Sequence, residues 1–323
     1  MIGNILSPFP KRIGKKFLDE RYILFQTSGI TPQDLALDSQ RRGICIERRH
    51  GYQFFVRELP RLSVDIDLTY LPVNERDYAL NDISHGLMRI FKEIKRRIPV
   101  SQIVLKNVRG TKTLKGMVVN QEGATVKIEP NLVLRGSVYP PEIRTLSKKA
   151  QGLFELSVQS RTLSMDELYA GKICAALDRQ HPRDLFDVHF LFKNEGLTAK
   201  IRRAFIVYLI SHPRPMIEIL NPHSKDMIDI FEKEFKSMID KDVTYYDLDS
   251  TRDKLVSMLR NELTTEERSF IVSVKEGHPR WELFALKRIE NLPAVKWKLL
   301  NIRKMDPSKH QEAVLKLRGY LGT

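Results

Sequence analysis

Between Ser63 and Thr69 the chain alternates strictly, with Val64, Ile66 and Leu68 set between Ser63, Asp65, Asp67 and Thr69. Side chains two apart share one face of a strand, so this stretch is expected to form a strand with an apolar face and an acidic face. The consequence is severe, because Asp65 and Asp67 then stand one strand repeat apart on the same side. Aspartate is depleted in strands, and two carboxylates that close repel each other. A chain that keeps both needs a cation between them or a solvated edge.

The surrounding text sets the fold class. Residues 54–56 and 62–70 read as strand. Leu80, Ile83, Leu87, Ile90, Phe91 and Ile94 recur near helical spacing, which predicts a helix from Asp77 to Ile98 ended by Pro99. Further strands are expected at 102–108, 114–119 and 124–134. A strand, a helix and then strands imply an α+β mixed sheet with helices. Beyond Pro140 and Pro141 the period changes. Ser164 with Glu167 three residues on is a capping box, and Pro182 suits a first helical position. Helices are expected at 197–211, 223–240, 249–262, 264–276, 280–302 and 307–320, with Thr264 and Glu267 as a second capping box. The expected organisation is an atypical segment at 1–53, a core at 54–160 and a mostly helical domain at 161–323.

Charge narrows the partners. The 323 residues carry a formal charge of +14 and a pI near 9.7. That excess favours a polyanion: nucleic acid, a nucleotide-rich substrate or an anionic surface. No apolar run approaches the length of a membrane span, and the basic start lacks the apolar core of a signal peptide. Cys45 and Cys174 provide neither a disulfide framework nor metal-ligand spacing. A soluble protein of the reducing cytoplasm, with no membrane partner, is expected. There is no phosphate-cradling glycine loop, Ser-His-Asp signal or zinc pattern, and His181 and His189 read as structural or solvent-facing.

Four constellations could carry chemistry. Asp65 and Asp67 read as half of a carboxylate site for Mg²⁺, a hard ion that takes oxygen ligands, or as a polar edge face. Glu129, in "TVKIEPN", shares a face with Lys127 opposite Val126 and Ile128. Asp-x-Asp on one strand, a later strand acid and a basic chain make up the nucleotidyltransferase arrangement, in which two ions about 3.5–4 Å apart clamp the attacking and leaving oxygens. Lys172 lies beside a stripe of Leu168, Ile173, Ala176 and Leu177. It could meet a triphosphate as a point charge, or snorkel with its stem over apolar surface. Asp184 and Asp187 share a helix face and complement the helix dipole, or they orient Lys172 or contact a base or ribose.

Together, "LPRLSVDIDLTYLP", "VKIEPNLVLRG" and "ELYAGKICAALDRQHPRDLFDVHFL" resemble the AbiEii/AbiGii nucleotidyltransferase toxin family, from residue 54 to about residue 195. The resemblance implies a polymerase-β-like nucleotidyltransferase sheet followed by a mostly helical C-terminal domain. It implies metal-dependent transfer of a nucleotide from an NTP to an acceptor, above all the 3′ end of tRNA. It also implies a cognate antitoxin in a toxin–antitoxin or abortive-infection system. By the same matching, Asp65, Asp67 and Glu129 hold Mg²⁺, Lys172 and Asp184 fall at catalytic positions, and Ser63, Lys172 and Asp187 bind the nucleotide. Replacing Lys172 by Met is expected to weaken nucleotide binding with little unfolding. The alternatives are transfer to a small molecule or a protein, or a non-catalytic remnant that binds antitoxin or RNA.

One departure bears on activity. The family carries a Gly-Gly-Thr turn before the Asp-x-Asp strand, whose backbone amides hold the triphosphate. Here the stretch reads Arg48–Arg49–His50–Gly51, and side chains obstruct close backbone approach. Patterning and resemblance both stop at about Gln53, as a change of reading frame would make them. Glu47 to Gln53 can be encoded GAA AGG CGG CAC GGC TAT CAA. Read one base later, this spells Lys-Gly-Gly-Thr-Ala-Ile. In that frame His50 allows Thr or Met alone. The gene's nucleotides are therefore expected to spell Gly-Gly opposite Arg48 and Arg49 one base later, and this chain to be weakly active or inactive with residues 1–53 poorly packed. Direct sequencing of the gene checks it, and any other shifted codons there refute it.

Overall fold

The computed structural model describes residues 44–46, 55–58, 60–61, 65–121, 124–155, 157, 159–239 and 242–323. The chain divides into two compact units, residues 1–165 with 232–242, and residues 166–231 with 243–323.

The first unit is built on a mixed sheet. Its strands are β1 (Ile44–Ile46), β2 (Asp65–Tyr70), β3 (Gln102–Asn107), β4 (Leu114–Gln121), β5 (Ala124–Asn131), β6 (Glu142–Thr145) and β7 (Gln159–Thr162), in the order β3-β4-β5-β2-β1-β7-β6. β2 runs parallel to β5, and β1 runs parallel to β7; the other neighbours are antiparallel. Helix α1 (Arg76–Arg97) buries Ala79, Ile83, Leu87, Ile90 and Ile94 in one cluster with Ile66, Leu68 and Tyr70 of β2, Met117 and Val119 of β4, and Val126 and Ile128 of β5. Each such aliphatic side chain contributes about 1.5–3 kcal/mol on burial. Lys95, Arg96 and Arg97 in the last turn complement the helix dipole. Tyr70 Oη donates to Asp82 Oδ2 at 2.9 Å, which ties the end of β2 to α1.

Several expectations need adjusting. Residues 55–56 lie in no strand. β5 stops at Asn131 rather than 134, because the Asn131 side-chain oxygen accepts from the amides of Val133 and Leu134 at 3.1 and 2.9 Å and turns the chain. β6 and β7 are four residues each and too polar to show a period. The 1–53 segment lies mostly outside the described residues. Its residues 44–46, expected to pack poorly, pair on both sides as β1. A ladder is made by backbone groups, so three strand-forming residues suffice for it.

The second unit is helical. It contains α3 (Met165–Arg179), α4 (Pro182–Asn194), α5 (Ala199–Ser211), α6 (Met216–Leu220), α7 (Tyr245–Glu262), α8 (Thr265–Lys275), α9 (Pro293–Arg303) and α10 (Pro307–Leu321), while α2 (Lys148–Phe154) belongs to the first. Pro182 stands in the first turn of α4, and Thr264 with Glu267 forms the expected capping box of α8. Thr244 and Asp247 form another at α7. The helix expected over 280–302 breaks into short 3-10 turns at Trp281–Leu283 and Ile289–Asn291 before α9. Pro293 lacks the N–H that a continuous helix would need and starts a new one. The span 223–240 likewise resolves into Ile228–Ile230, a π turn at Phe231–Phe235 and a 3-10 turn at Lys236–Met238, where the chain leaves one unit for the other.

One buried charge makes this unit sensitive to pH. Lys298 on α9 is 7% exposed, and its Nζ donates to the carbonyls of His212 at 2.8 Å and Arg214 at 2.7 Å. Burial, and then the neighbouring Lys275, push its pKa down to about 8. An unfolded lysine titrates at about 10.4, so between those values the unfolded chain binds the extra proton and folding is favoured as pH rises. Urea unfolding from pH 8 to about 10.4 is expected to show this gain in the native chain and to lose it in Lys298→Met, measured as the difference between the two midpoints.

Candidate active site

The acids of β2 lie on the sheet face opposite α1. Ile66 and Leu68 are buried, whereas Asp65 and Asp67 are half-buried. The parallel register sets Asp67 beside Glu129 and Asp65 beside Lys127. Paired residues project to the same face, and neighbouring strands are about 4.8 Å apart, so three carboxylates and an ammonium form one small patch. Lys127 Nζ meets Glu129 Oε2 at 2.6 Å, with the side chains 45% and 37% exposed. A pair that open to water contributes about 0–1 kcal/mol and is readily exchanged for another partner.

Two neighbours of the patch were not singled out from the sequence. Gly116 of β4 lies against Glu129, and a Cβ added there would sit 2.8 Å from the Ile128 carbonyl oxygen and 2.9 Å from Glu129 Cγ. The signal was present, since a lone glycine inside a strand marks a close approach of backbone or side chain. Thr69 continues the acidic face one repeat beyond Asp67, and its buried hydroxyl oxygen has no hydrogen-bond partner among the described residues. Ser63 lies outside the described residues, as do residues 48–51.

The donor set suits Mg²⁺. Asp65, Asp67 and Glu129 are hard oxygen donors on one partly solvated face, and the missing Cβ of Gly116 leaves Glu129 room. Among the described residues no group of three His, Cys, Asp or Glu side chains is already gathered as a metal cage. The register brings the backbones of the acids together, while the Glu129 carboxylate is turned onto Lys127.

The motif residues of the helical unit are organised differently. From Glu167 to Cys174 every residue of α3 is buried, so the helix offers Lys172 no solvent face. Its Nζ meets Asp187 Oδ2 at 2.8 Å, with the side chains 2% and 0% exposed. Lys172 therefore does not snorkel, and its charge is balanced by Asp187 of α4. Asp184, three residues earlier, takes a different cation: Arg179 lies 2.7 Å from its Oδ2. Sequence spacing put both aspartates on one face, but tertiary packing separated their partners. His181 caps α4, its Nδ1 accepting from the Arg183 amide at 3.1 Å. His189 Nδ1 lies 2.9 Å from Thr251 Oγ1, and burial lowers its pKa. Both histidines are structural.

The buried pair changes the expected effect of losing Lys172. Removing one member of such a pair leaves an uncompensated charge and costs about 3–5 kcal/mol, whereas replacing both by apolar groups is close to neutral. Lys172→Met is therefore expected to unfold readily, and Lys172→Met with Asp187→Leu to recover most of the loss. Urea unfolding of the single and double variants measures it, and a Lys172→Met chain as stable as the native one would refute it.

Comparison with known proteins agrees with this geometry. MenT4, a nucleotidyltransferase toxin from Mycobacterium tuberculosis, superposes with a TM-score of 0.55 at 12% sequence identity, over 92% of this chain and 98% of that one. At such identity the likeness is one of fold. No curated protein sequence matches the chain. The family model described as nucleotidyl transferase AbiEii toxin, type IV toxin–antitoxin system, matches residues 43–287. That span takes in the acid-bearing strands and the Lys172–Asp187 helices alike, and the chain belongs to the AbiEii nucleotidyltransferase toxin family.

Proposed function

We propose that this chain transfers a nucleotide from a nucleoside triphosphate to the 3′ end of an RNA, tRNA first among the acceptors, in the cytoplasm and under the control of a cognate antitoxin. The observation that carries the reading is the register of β2 and β5, which sets Asp67 beside Glu129 with Asp65 one repeat away on an open sheet face. Asp65 and Asp67 would hold Mg²⁺, with Glu129 as the third ligand. Bound there, the ion would supply counter-charge to the triphosphate. The formal charge of +14 supports a polyanionic acceptor.

The chain's own groups have distinct parts. Glu129, held by an exposed ion pair, exchanges Lys127 for the acceptor and takes the proton of its 3′-hydroxyl. The 3′-oxygen forms its bond to the α-phosphorus as the bond to pyrophosphate breaks. Lys127, released, remains as a cation facing the phosphates. Lys172, Asp184 and Asp187 hold α3 and α4 together through their ion pairs and act on the nucleotide through that frame.

Incubation with labelled NTP and Mg²⁺, in the presence of total RNA, protein and small acceptors, tests the reading. Label is expected on RNA, and Asp65→Asn or Asp67→Asn to lower the rate by about 100-fold or more, the scale for removing one group that stabilises transition-state charge. Thermal stability is expected to stay equal or rise, since a like-charge contact is relieved. Where the native rate is too low to follow, the assay is run on a chain whose residues 47–52 read Lys-Gly-Gly-Thr-Ala-Ile. Full activity in Asp65→Asn, or label on protein or small acceptors alone, overturns it.

A further inference from the structure

The hairpin of β3 and β4 carries a charge that the acid patch does not use. Between Pro99 and Gln121 the sequence contains Lys106, Arg109, Lys112 and Lys115 and no acid. All four are exposed, and none is in an ion pair among the described residues. The tip is well formed. The Val108 amide donates to the Thr113 carbonyl at 2.9 Å, the Thr111 amide donates to the Val108 carbonyl at 3.0 Å, and Gly110 takes the positive φ of 75° that such a turn requires. The cations are thus presented on a closed hairpin instead of a loose loop.

Register connects this arm to the acids. Lys106 pairs with Gly116, Gly116 lies against Glu129, and Glu129 pairs with Asp67. These four positions form one row across the sheet face, and the member between Lys106 and Glu129 has no side chain. Gly116 is buried with the Glu129 side chain lying over it, so the row runs from an exposed cation on the edge strand, across about three strand spacings or ~14 Å, to the acids at its end. A strand of phosphates fits it: the backbone lies on cations while its terminus reaches the carboxylates.

We infer that the β3–β4 hairpin is the docking arm for the acceptor RNA's phosphate backbone, and that Lys106, exposed on the edge strand in register with Gly116, positions the strand as it approaches Glu129. This rests on RNA being the acceptor. The arm and the row belong wholly to the first unit, so the inference needs nothing from the helices.

Binding of a fluorescein-labelled tRNA transcript, followed by anisotropy against salt, tests it without requiring turnover. Each phosphate contact contributes about 0.7–0.9 to the log–log salt slope. The triple variant Arg109→Ala, Lys112→Ala, Lys115→Ala is expected to bind at least about tenfold more weakly, with a slope reduced by about two. Lys304→Ala, Lys309→Ala and Lys316→Ala together remove the same net charge from exposed sites in the helical unit and are expected to leave the slope nearly unchanged. Lys106→Met is expected to weaken transcript binding several-fold in the same anisotropy titration while leaving the affinity for NTP, titrated separately, unchanged. A native affinity retained by the arm variant, or an equal loss in the helical control, overturns the arm while leaving RNA as acceptor. A parallel loss of affinity for poly-glutamate would make the arm a general polyanion surface and defeat its assignment to RNA. Failure of the native chain to bind the transcript at low salt would instead remove the acceptor itself.

Discussion

The two faces of β2 set everything else in the first unit. Ile66, Leu68 and Tyr70 must be covered, and α1 covers them with its own aliphatic stripe. That commitment forces Asp65 and Asp67 to the other side, because a strand side chain has two directions to choose from. Slipping the strand by one residue would bury two carboxylates and expose three large apolar groups, so the register is strongly specified. The acids are thus held in place by the packing of residues they never touch. A carboxylate pair on a rigid central strand is also better fixed than one on a loop, which suits a site that has to present oxygens at a constant spacing.

The same chain treats charge in three ways. On the open sheet face, Lys127 and Glu129 pair in water, where the partner can be exchanged at small cost. Inside the helical unit, Lys172 and Asp187 are paired out of water, where leaving either charge uncompensated is costly. Arg202 and Glu267 show a third use: Glu267 accepts from the Arg202 guanidinium at 2.8 Å and from the Thr264 amide at 3.0 Å, so one carboxylate serves a cap and a helix–helix contact together. Motif residues of similar chemical type therefore divide by environment. Those on the sheet are partly open to water, and those on α3 and α4 are paired with each other or with Arg179.

Gly116 and Thr69 extend the patch beyond its acids. The glycine keeps the neighbouring strand bare next to Glu129, and the hydroxyl stands on the acidic face with its hydrogen bonding unmet among the described residues. Both positions are themselves buried, the glycine under the Glu129 side chain, and a buried hydroxyl left unmet is uncommon in a closed core. In the second unit, α3 is buried from Glu167 to Cys174 around Lys172.

Local pattern alone determined the alternation of β2, the stripe of α1, the Pro182 start of α4 and the capping box at Thr264, because each depends on residues within a few positions of one another. It also determined that Asp65 and Asp67 share a face, and the three motif blocks carried the family resemblance. The pairing of Asp67 with Glu129 was beyond it: the two lie 62 residues apart, and strand order is decided by which hydrophobic faces meet under α1. The partner of Lys172 was likewise undetermined, since helical spacing offered Asp184 and Asp187 equally and only the packing of α3 on α4 delivered the second. The long helices expected over 223–240 and 280–302 failed for a related reason. Periodicity reports which residues are apolar, but backbone hydrogen bonding around Pro293, and the passage of the chain between units at Phe231, decide where a helix can continue.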